Sequence, residues 1–171
     1  LSIYTMHQAC FEQRFYDEKH WARYFDMLAA NRFNRFVLIF GYENWGYFSP
    51  PYPYFFNVEG YPQIRVVGIT PETQRKNLVA LNRMIDMAHE RGLEFTVGIW
   101  DHIYRGGVQG PKDRTEKPTE GIVWGLNQDN LVPYTKLALA EFLQQVPEID
   151  SIQFRMHGES GLRRNEMEGF W

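Results

Sequence analysis

An α/β architecture around a parallel sheet is expected from this chain on three counts. Apolar runs of five or six residues follow each of three helix-patterned segments. Those runs are too uniformly apolar for strands with a solvated face, and suit strands buried on both sides. Helix and strand patterns also alternate along the whole chain, as in βαβ units. The runs are Phe36-Val37-Leu38-Ile39-Phe40, Phe95-Thr96-Val97-Gly98-Ile99-Trp100 and Ile152-Gln153-Phe154-Arg155-Met156, and Leu1-Ser2-Ile3-Tyr4 reads as the tail of an earlier strand.

Each helix carries its own signals. The first follows Asp17, an N-cap type, and places Trp21, Tyr24, Phe25 and Leu28 on one face through Ala29. The second has Thr70 as N-cap, Pro71 at the first position and Glu72 in the first turn. Its stripe is Leu78, Leu81, Ile85 and Ala88, and Arg91-Gly92 stops it. The third begins near Asp129-Asn130, tolerates Pro133 in its first turn, buries Leu137, Ala140 and Leu143 or their neighbours, and closes at Pro147. No terminal helix is evident before Trp171.

The totals narrow the function. A chain of 171 residues can bury one real core. A net charge of -3 and a pI of 6.0 give no basic footprint for nucleic acid. With a mean hydropathy of -0.46 and no long apolar run, no membrane span is expected. The single cysteine, Cys10, leaves no internal disulfide or multi-cysteine zinc site and reads as a small apolar filler. The start shows no signal pattern, and secreted or periplasmic placement stays open.

The links are asymmetric. Those entering strands are a few residues long, whereas 41–69 and 101–128, which leave strands, are long. Loops of that length in a compact domain are usually functional. The elaboration therefore sits at the C-terminal ends of the strands, where (β/α)8 TIM barrels build their active sites. Four strands with their intervening helices make about the first half of such a barrel, whose usual size is roughly 250 residues. Residues 1–171 are thus expected to be a fragment of a single (β/α)8 catalytic domain, with the rest of the barrel missing from this chain.

Three strand exits carry polar chemistry. They are Gly41-Tyr42-Glu43-Asn44-Trp45, Asp101-His102-Ile103-Tyr104-Arg105 and Arg155-Met156-His157-Gly158-Glu159. In the last strand Ile152, Phe154 and Met156 share one parity, while Arg155, His157 and Glu159 share the other. Such a cluster costs stability unless its members are paired or used. Taken singly, each has an ordinary structural reading: Glu43 can cap a turn, Asp101 can pair with Arg105, and His102 can be a satisfied core histidine. A closed barrel would bring the three exits into one pocket.

The loop after the second strand holds Trp45, Tyr47, Phe48, Tyr52, Tyr54, Phe55, Phe56 and Tyr61 among four prolines. Most of these rings are expected to form a small satellite core. One or two, with Trp45 and Trp100 the best placed and Trp124 a third, would offer a flat face to a sugar ring. The charged stretch 111–118 reads as a solvated loop tip.

The segments Phe36-Val37-Leu38-Ile39-Phe40-Gly41-Tyr42-Glu43-Asn44, Gly98-Ile99-Trp100-Asp101-His102 and Phe154-Arg155-Met156-His157-Gly158-Glu159-Ser160 resemble the strand ends of barrel glycoside hydrolases, of the retaining-type clan and of α-glucuronidase-like barrels. The resemblance is one of layout and covers nearly the whole chain. It implies that Glu159, just after the fourth strand, is the general acid, its pKa raised by burial near Met156 and Trp100. His157-Gly158 precede it where the large retaining clan has Asn. His157 and Arg155 would orient the acid or bind a substrate hydroxyl or carboxylate, while Glu43, Asn44, Trp45, Trp100, Asp101 and His102 would line the sugar site. The partner carboxylate would come from a later strand. This reading calls for a carbohydrate substrate and for no cofactor or metal. The rivals are a metal-dependent sugar isomerase or epimerase, with Asp101, His102, His157 and Glu159 as ligands, and a carbohydrate-binding barrel without turnover.

Overall fold

The structure is a computed structural model that describes residues 1–6, 14–40, 50–100, 102, 117–118, 120–121, 123–156, 162 and 164–171. The elements are β1 (Ser2–Met6), α1 (Glu18–Ala30), β2 (Arg35–Phe40), a 3-10 turn (Tyr52–Tyr54), β3 (Arg65–Val66), α2 (Pro71–His89), β4 (Glu94–Ile99), β5 (Val123–Trp124), α3 (Leu131–Gln145), β6 (Ser151–Phe154) and α4 (Arg164–Phe170).

Four strands form one sheet in the order β1-β2-β4-β6, every neighbouring pair parallel. The order follows the chain without reversal, unlike a doubly wound sheet, whose order reverses at a switch point. Right-handed crossovers in such an order lay successive helices on one face. Burial agrees: Phe36, Leu38 and Phe40 of β2 and Phe95, Val97 and Ile99 of β4 share one core with Trp21, Phe25 and Leu28 of α1 and Leu81, Ile85 and Ala88 of α2. By alternation, Val37, Ile39, Thr96, Gly98, Ser151 and Gln153 occupy the opposite face, which is smaller in side chain and more polar. There the Thr96 and Ser151 hydroxyls bond each other at 2.6 Å across the β4–β6 pair.

The helix ends follow the expected chemistry. Asp17 accepts from the His20 N–H at 3.0 Å, and Thr70 accepts from the Thr73 N–H at 3.2 Å. Gly92, at φ 70°, takes the left-handed turn after α2 that a side chain would resist. In α3 the buried stripe is Leu131, Tyr134, Ala138 and Phe142. Leu137 and Leu143, expected inside, are 48% and 47% exposed, so the stripe falls on their neighbours. Helix α4 corrects the expectation of no terminal helix.

The two long links are joined to each other. β3 pairs antiparallel with β5, Arg65 opposite Trp124 and Val66 opposite Val123. The Gly121 N–H donates to the Val67 carbonyl at 2.8 Å, and the Tyr54 hydroxyl donates to the Gly121 carbonyl at 2.6 Å. Gly125 sits at φ 94°, and a side chain there would collide with the Gln63 carbonyl. At the opposite end of the sheet, Asp150 accepts from the Phe95 N–H at 2.6 Å and bonds His89 Nε2 at 2.8 Å, tying the end of α2 to the entry of β6.

Candidate functional site

Among the described residues, Trp100 and Arg155 meet at the C-terminal ends of β4 and β6. Their last registered pair is Ile99 with Phe154, so Trp100 and Arg155 stand one rung further on. The Arg155 N–H continues the ladder by donating to the Ile99 carbonyl at 3.4 Å. By parity both side chains belong to the sheet face opposite the helices. The Arg155 guanidinium carbon lies 4.1 Å from the Trp100 ring centroid, a cation–π geometry. Arg155 is 9% exposed and Trp100 is half-buried. Gly98, beneath them, has no room for a side chain: a Cβ would come 2.9 Å from Ile39 Cγ1 and 3.3 Å from Trp100 Nε1. Glycine at this rung therefore lets the indole fold back over the strand.

His102, two residues after Trp100, turns elsewhere. It is 1% exposed, and its ring centroid lies 5.9 Å from Phe154, 5.4 Å from Phe170 and 5.0 Å from Trp171. The imidazole thus packs into the seam between the β4 exit, β6 and the end of α4. Its Nε2 is buried with no hydrogen-bond partner among the described residues. Burial pulls its pKa down to about 4, opposed by a hydrogen bond to the Arg155 main chain and reinforced by the Arg155 charge. The side chain is neutral at ordinary pH.

The structure places the same fold in known company. A solved GH138 enzyme targeting pectin rhamnogalacturonan II superposes with a TM-score of 0.56 at 19% identity, covering 89% of this chain and 16% of that one. The fold is glycoside-hydrolase-like. A GH5_18 structure from Bifidobacterium longum subsp. longum ATCC 55813 aligns over 87% of this chain and 31% of that one, with 10% identity and a TM-score of 0.46. This chain therefore spans less than a third of the length of either. No protein-family model matches the sequence, and no curated protein matches it.

Of the residues singled out from the sequence, Trp100 and Arg155 are brought together and His102 lies beside them on the other side of the seam. Glu43, Asn44, Trp45, Asp101, His157 and Glu159 lie outside the described residues. The strands that lead to them are neighbours, with Phe40 opposite Ile99 and Ile99 opposite Phe154. Met156, expected to help bury the acid, is 61% exposed because β6 ends at Phe154 and the alternation ends with it. Among the described residues no three His, Cys, Asp or Glu side chains gather as metal ligands.

Most of the loop aromatics that are described are core. Tyr52, Tyr54 and Phe55 are buried, with Phe55 edge-on to Phe40 at 5.4 Å and 5.7 Å from Phe142. Gln74 and Asn77 of α2 donate to the Pro53 and Tyr54 carbonyls at 2.9 and 2.7 Å. Burial pushes the Tyr52 and Tyr134 phenols up. Trp124 is half-buried in β5.

Two clefts open between helices. One, about 310 Å3, opens between α1 and α2, lined by Phe15, Trp21, Lys76, Arg83 and Met84, and lies in the outer helix layer. The other, about 200 Å3, lies between the start of α3 and α4, where Gln128, Leu131, Asn165, Glu166 and Phe170 line it. Phe170 joins this second cleft to the His102 seam. Sequence reasoning missed Phe170 and Trp171; an aromatic pair closing a short amphipathic stretch was the signal available.

Proposed function

We propose that this chain is the first half of a (β/α)8 barrel in a glycoside hydrolase, and that its sugar site lies at the C-terminal end of the sheet. The observation that carries the reading is the Trp100–Arg155 pair: an aromatic face and a buried cation at adjacent strand ends of a glycoside-hydrolase-like fold. Barrel enzymes act at that end of the sheet. An indole half-open beside a fixed guanidinium suits a sugar, whose ring faces are apolar and whose rim is polar.

In this reading Glu159, four residues after Arg155, donates its proton to the glycosidic oxygen as the bond from that oxygen to the anomeric carbon breaks. A second carboxylate, from a later strand of the complete barrel, attacks the anomeric carbon or activates the water that does. Glu43, Asn44, Trp45 and Asp101 belong to the same mouth, because their strands adjoin. His157 orients the acid. Arg155 holds a substrate oxygen on one side and rests on Trp100 on the other.

The test is replacement of Glu159 by Gln in the full-length parent protein, assayed on alkyl glycosides and uronic-acid oligosaccharides beside the unsubstituted full-length protein. The reading expects turnover to fall by about 10²–10⁴-fold, the usual worth of a positioned acid. Parent-level turnover by a correctly folded variant removes Glu159 from that role. Sugar binding that survives with no turnover in the parent either would identify a binding barrel instead.

A further inference from the structure

Gly169 is a glycine without a conformational reason. It stands inside α4, where glycine costs helix stability relative to alanine. Its φ is not positive, and a Cβ built on it would meet nothing within 4 Å. Gly98 and Gly125, by contrast, are pressed by Ile39 and by the Gln63 carbonyl. What the bare backbone of Gly169 does is widen the cleft of about 200 Å3 between α3 and α4, which it lines.

The cleft is apolar at its base and polar at its rim. Leu131 and Leu162 are 5% and 2% exposed, and Phe170 is half-buried beside them. Gln128 and Asn165 are exposed, and their side-chain amides make no hydrogen bond among the described residues. Each amide can both donate and accept, and the Glu166 carboxylate accepts. Spare amides above an aromatic and aliphatic floor match a sugar ring, apolar on its faces and hydroxylated at its edge. A space of about 200 Å3 lies below the range of about 300–1,000 Å3 that drug-sized ligands take, and limits the occupant to about one ring. Among the described residues Glu166 is the only charged one lining the cleft, and it disfavours an acidic sugar.

We propose that the cleft between α3 and α4 is a second carbohydrate subsite, which takes one neutral pyranose ring and which Gly169 keeps open. Phe170 links it to the sheet: its ring lies 5.4 Å from His102, and His102 lies 5.9 Å from Phe154, the last residue of β6. Phe154 has the helix-side parity and Arg155 the opposite one, so the cleft and the Trp100–Arg155 pair flank the same strand exit. In a hydrolase the cleft would seat a sugar unit remote from the bond being cut. That consequence rests on reading this sheet end as the sugar site; the binding of a neutral ring does not.

Saturation-transfer difference NMR on the full-length parent protein tests it. Methyl gluco-, galacto- and mannopyranosides serve as neutral probes and methyl glucuronide as the acidic one. At least one neutral probe should bind, and the glucuronide should bind more weakly. Gly169→Phe puts a ring where the Cβ has open space and raises helix propensity. Its thermal midpoint should hold while the apparent Kd of the neutral probe rises by about tenfold or more. Gln128→Ala and Asn165→Ala, from the two walls, should each weaken binding by about 2–10-fold, the worth of one hydrogen bond. Binding unchanged in folded Gly169→Phe and in both alanine variants overturns the proposal. Absence of binding by every neutral probe, or a preference for the glucuronide, overturns it equally. No turnover is read, so the proposal can fail while the hydrolase reading stands, and the reverse.

Discussion

Trp100 and Arg155 face each other one rung beyond the last paired residues of β4 and β6, with the guanidinium carbon 4.1 Å from the indole centroid. The pair links two strand exits that are 55 residues apart in the chain through an interaction that neither exit could make alone. A cation–π contact of this kind contributes about 0.5–2 kcal/mol, more as the cation is desolvated. Trp100→Leu should lower unfolding free energy by about 1–2 kcal/mol, read from urea denaturation at unchanged slope. No change in the midpoint would mean that the contact contributes nothing.

The joined loops behave as core. Phe142 of α3 meets Tyr52 at 6.0 Å and Phe55 at 5.7 Å, so it seats the aromatic loop on the helix layer. Phe142→Ala should cost about 3–5 kcal/mol, the usual range for a buried phenylalanine. The thermal midpoint checks it, and a loss below 1 kcal/mol would show the loop to be loosely seated.

Asp150 ties β6 to α2 from below. Partial burial pushes its carboxyl up, but the Phe95 N–H, the His89 imidazole and the Arg35 charge outweigh this and hold its pKa below the ordinary value. A depressed carboxyl stabilises the native state above its unfolded pKa, and that contribution is lost as pH falls through the folded value. Asp150→Ala should cost about 1–2 kcal/mol at neutral pH, at the low end for charge-assisted bonds because the side chain is 37% exposed. The difference from the parent should shrink in acid; a gap independent of pH would contradict the assignment.

His102 titrates with the same sign for a different reason: burial disfavours its charged form. Its folded pKa is about 4, against 6.5 for a free imidazole, so as pH falls the unfolded chain takes up its proton first. The contribution is fully kept above pH 6.5 and is lost between there and about pH 4, up to roughly 3 kcal/mol in all. Stability measured across that window should fall in the parent and fall less steeply in His102→Phe. Equal slopes would show that the buried imidazole is not what titrates.

What the sequence made legible was the short-range part. Four strands, three helices and the caps at Asp17 and Thr70 come from periodicity and local hydrogen bonding, and the structure has all of them. In α3, Leu131-Val132-Pro133-Tyr134-Thr135-Lys136-Leu137-Ala138-Leu139-Ala140 is apolar on several sides, so spacing alone does not fix which stripe is buried. The aromatic rings decide it: Tyr134 meets Tyr61 at 5.6 Å, and Phe142 meets the loop. The β3–β5 pairing involves two residues from each of two loops, far too few for a periodic signal. Helix α4 is 7 residues long and carries Gly169, which also keeps it below notice. Parity correctly put Arg155 opposite Phe154, but it fails at Met156, where the strand has ended. The burial of His102 was not legible locally, because it is set by Phe170 and Trp171, from the far end of the chain.

The most direct measurement for the hydrolase reading is the dependence of the Glu159→Gln defect on the leaving group. A general acid matters most when the departing oxygen is basic and hardly at all when it leaves readily as an anion. In the full-length protein carrying the substitution, kcat/KM should fall by about 10²–10⁴-fold with alkyl glycosides and stay close to the parent value with dinitrophenyl glycosides. An equal defect on both substrates, or none on either, would contradict the role given to Glu159.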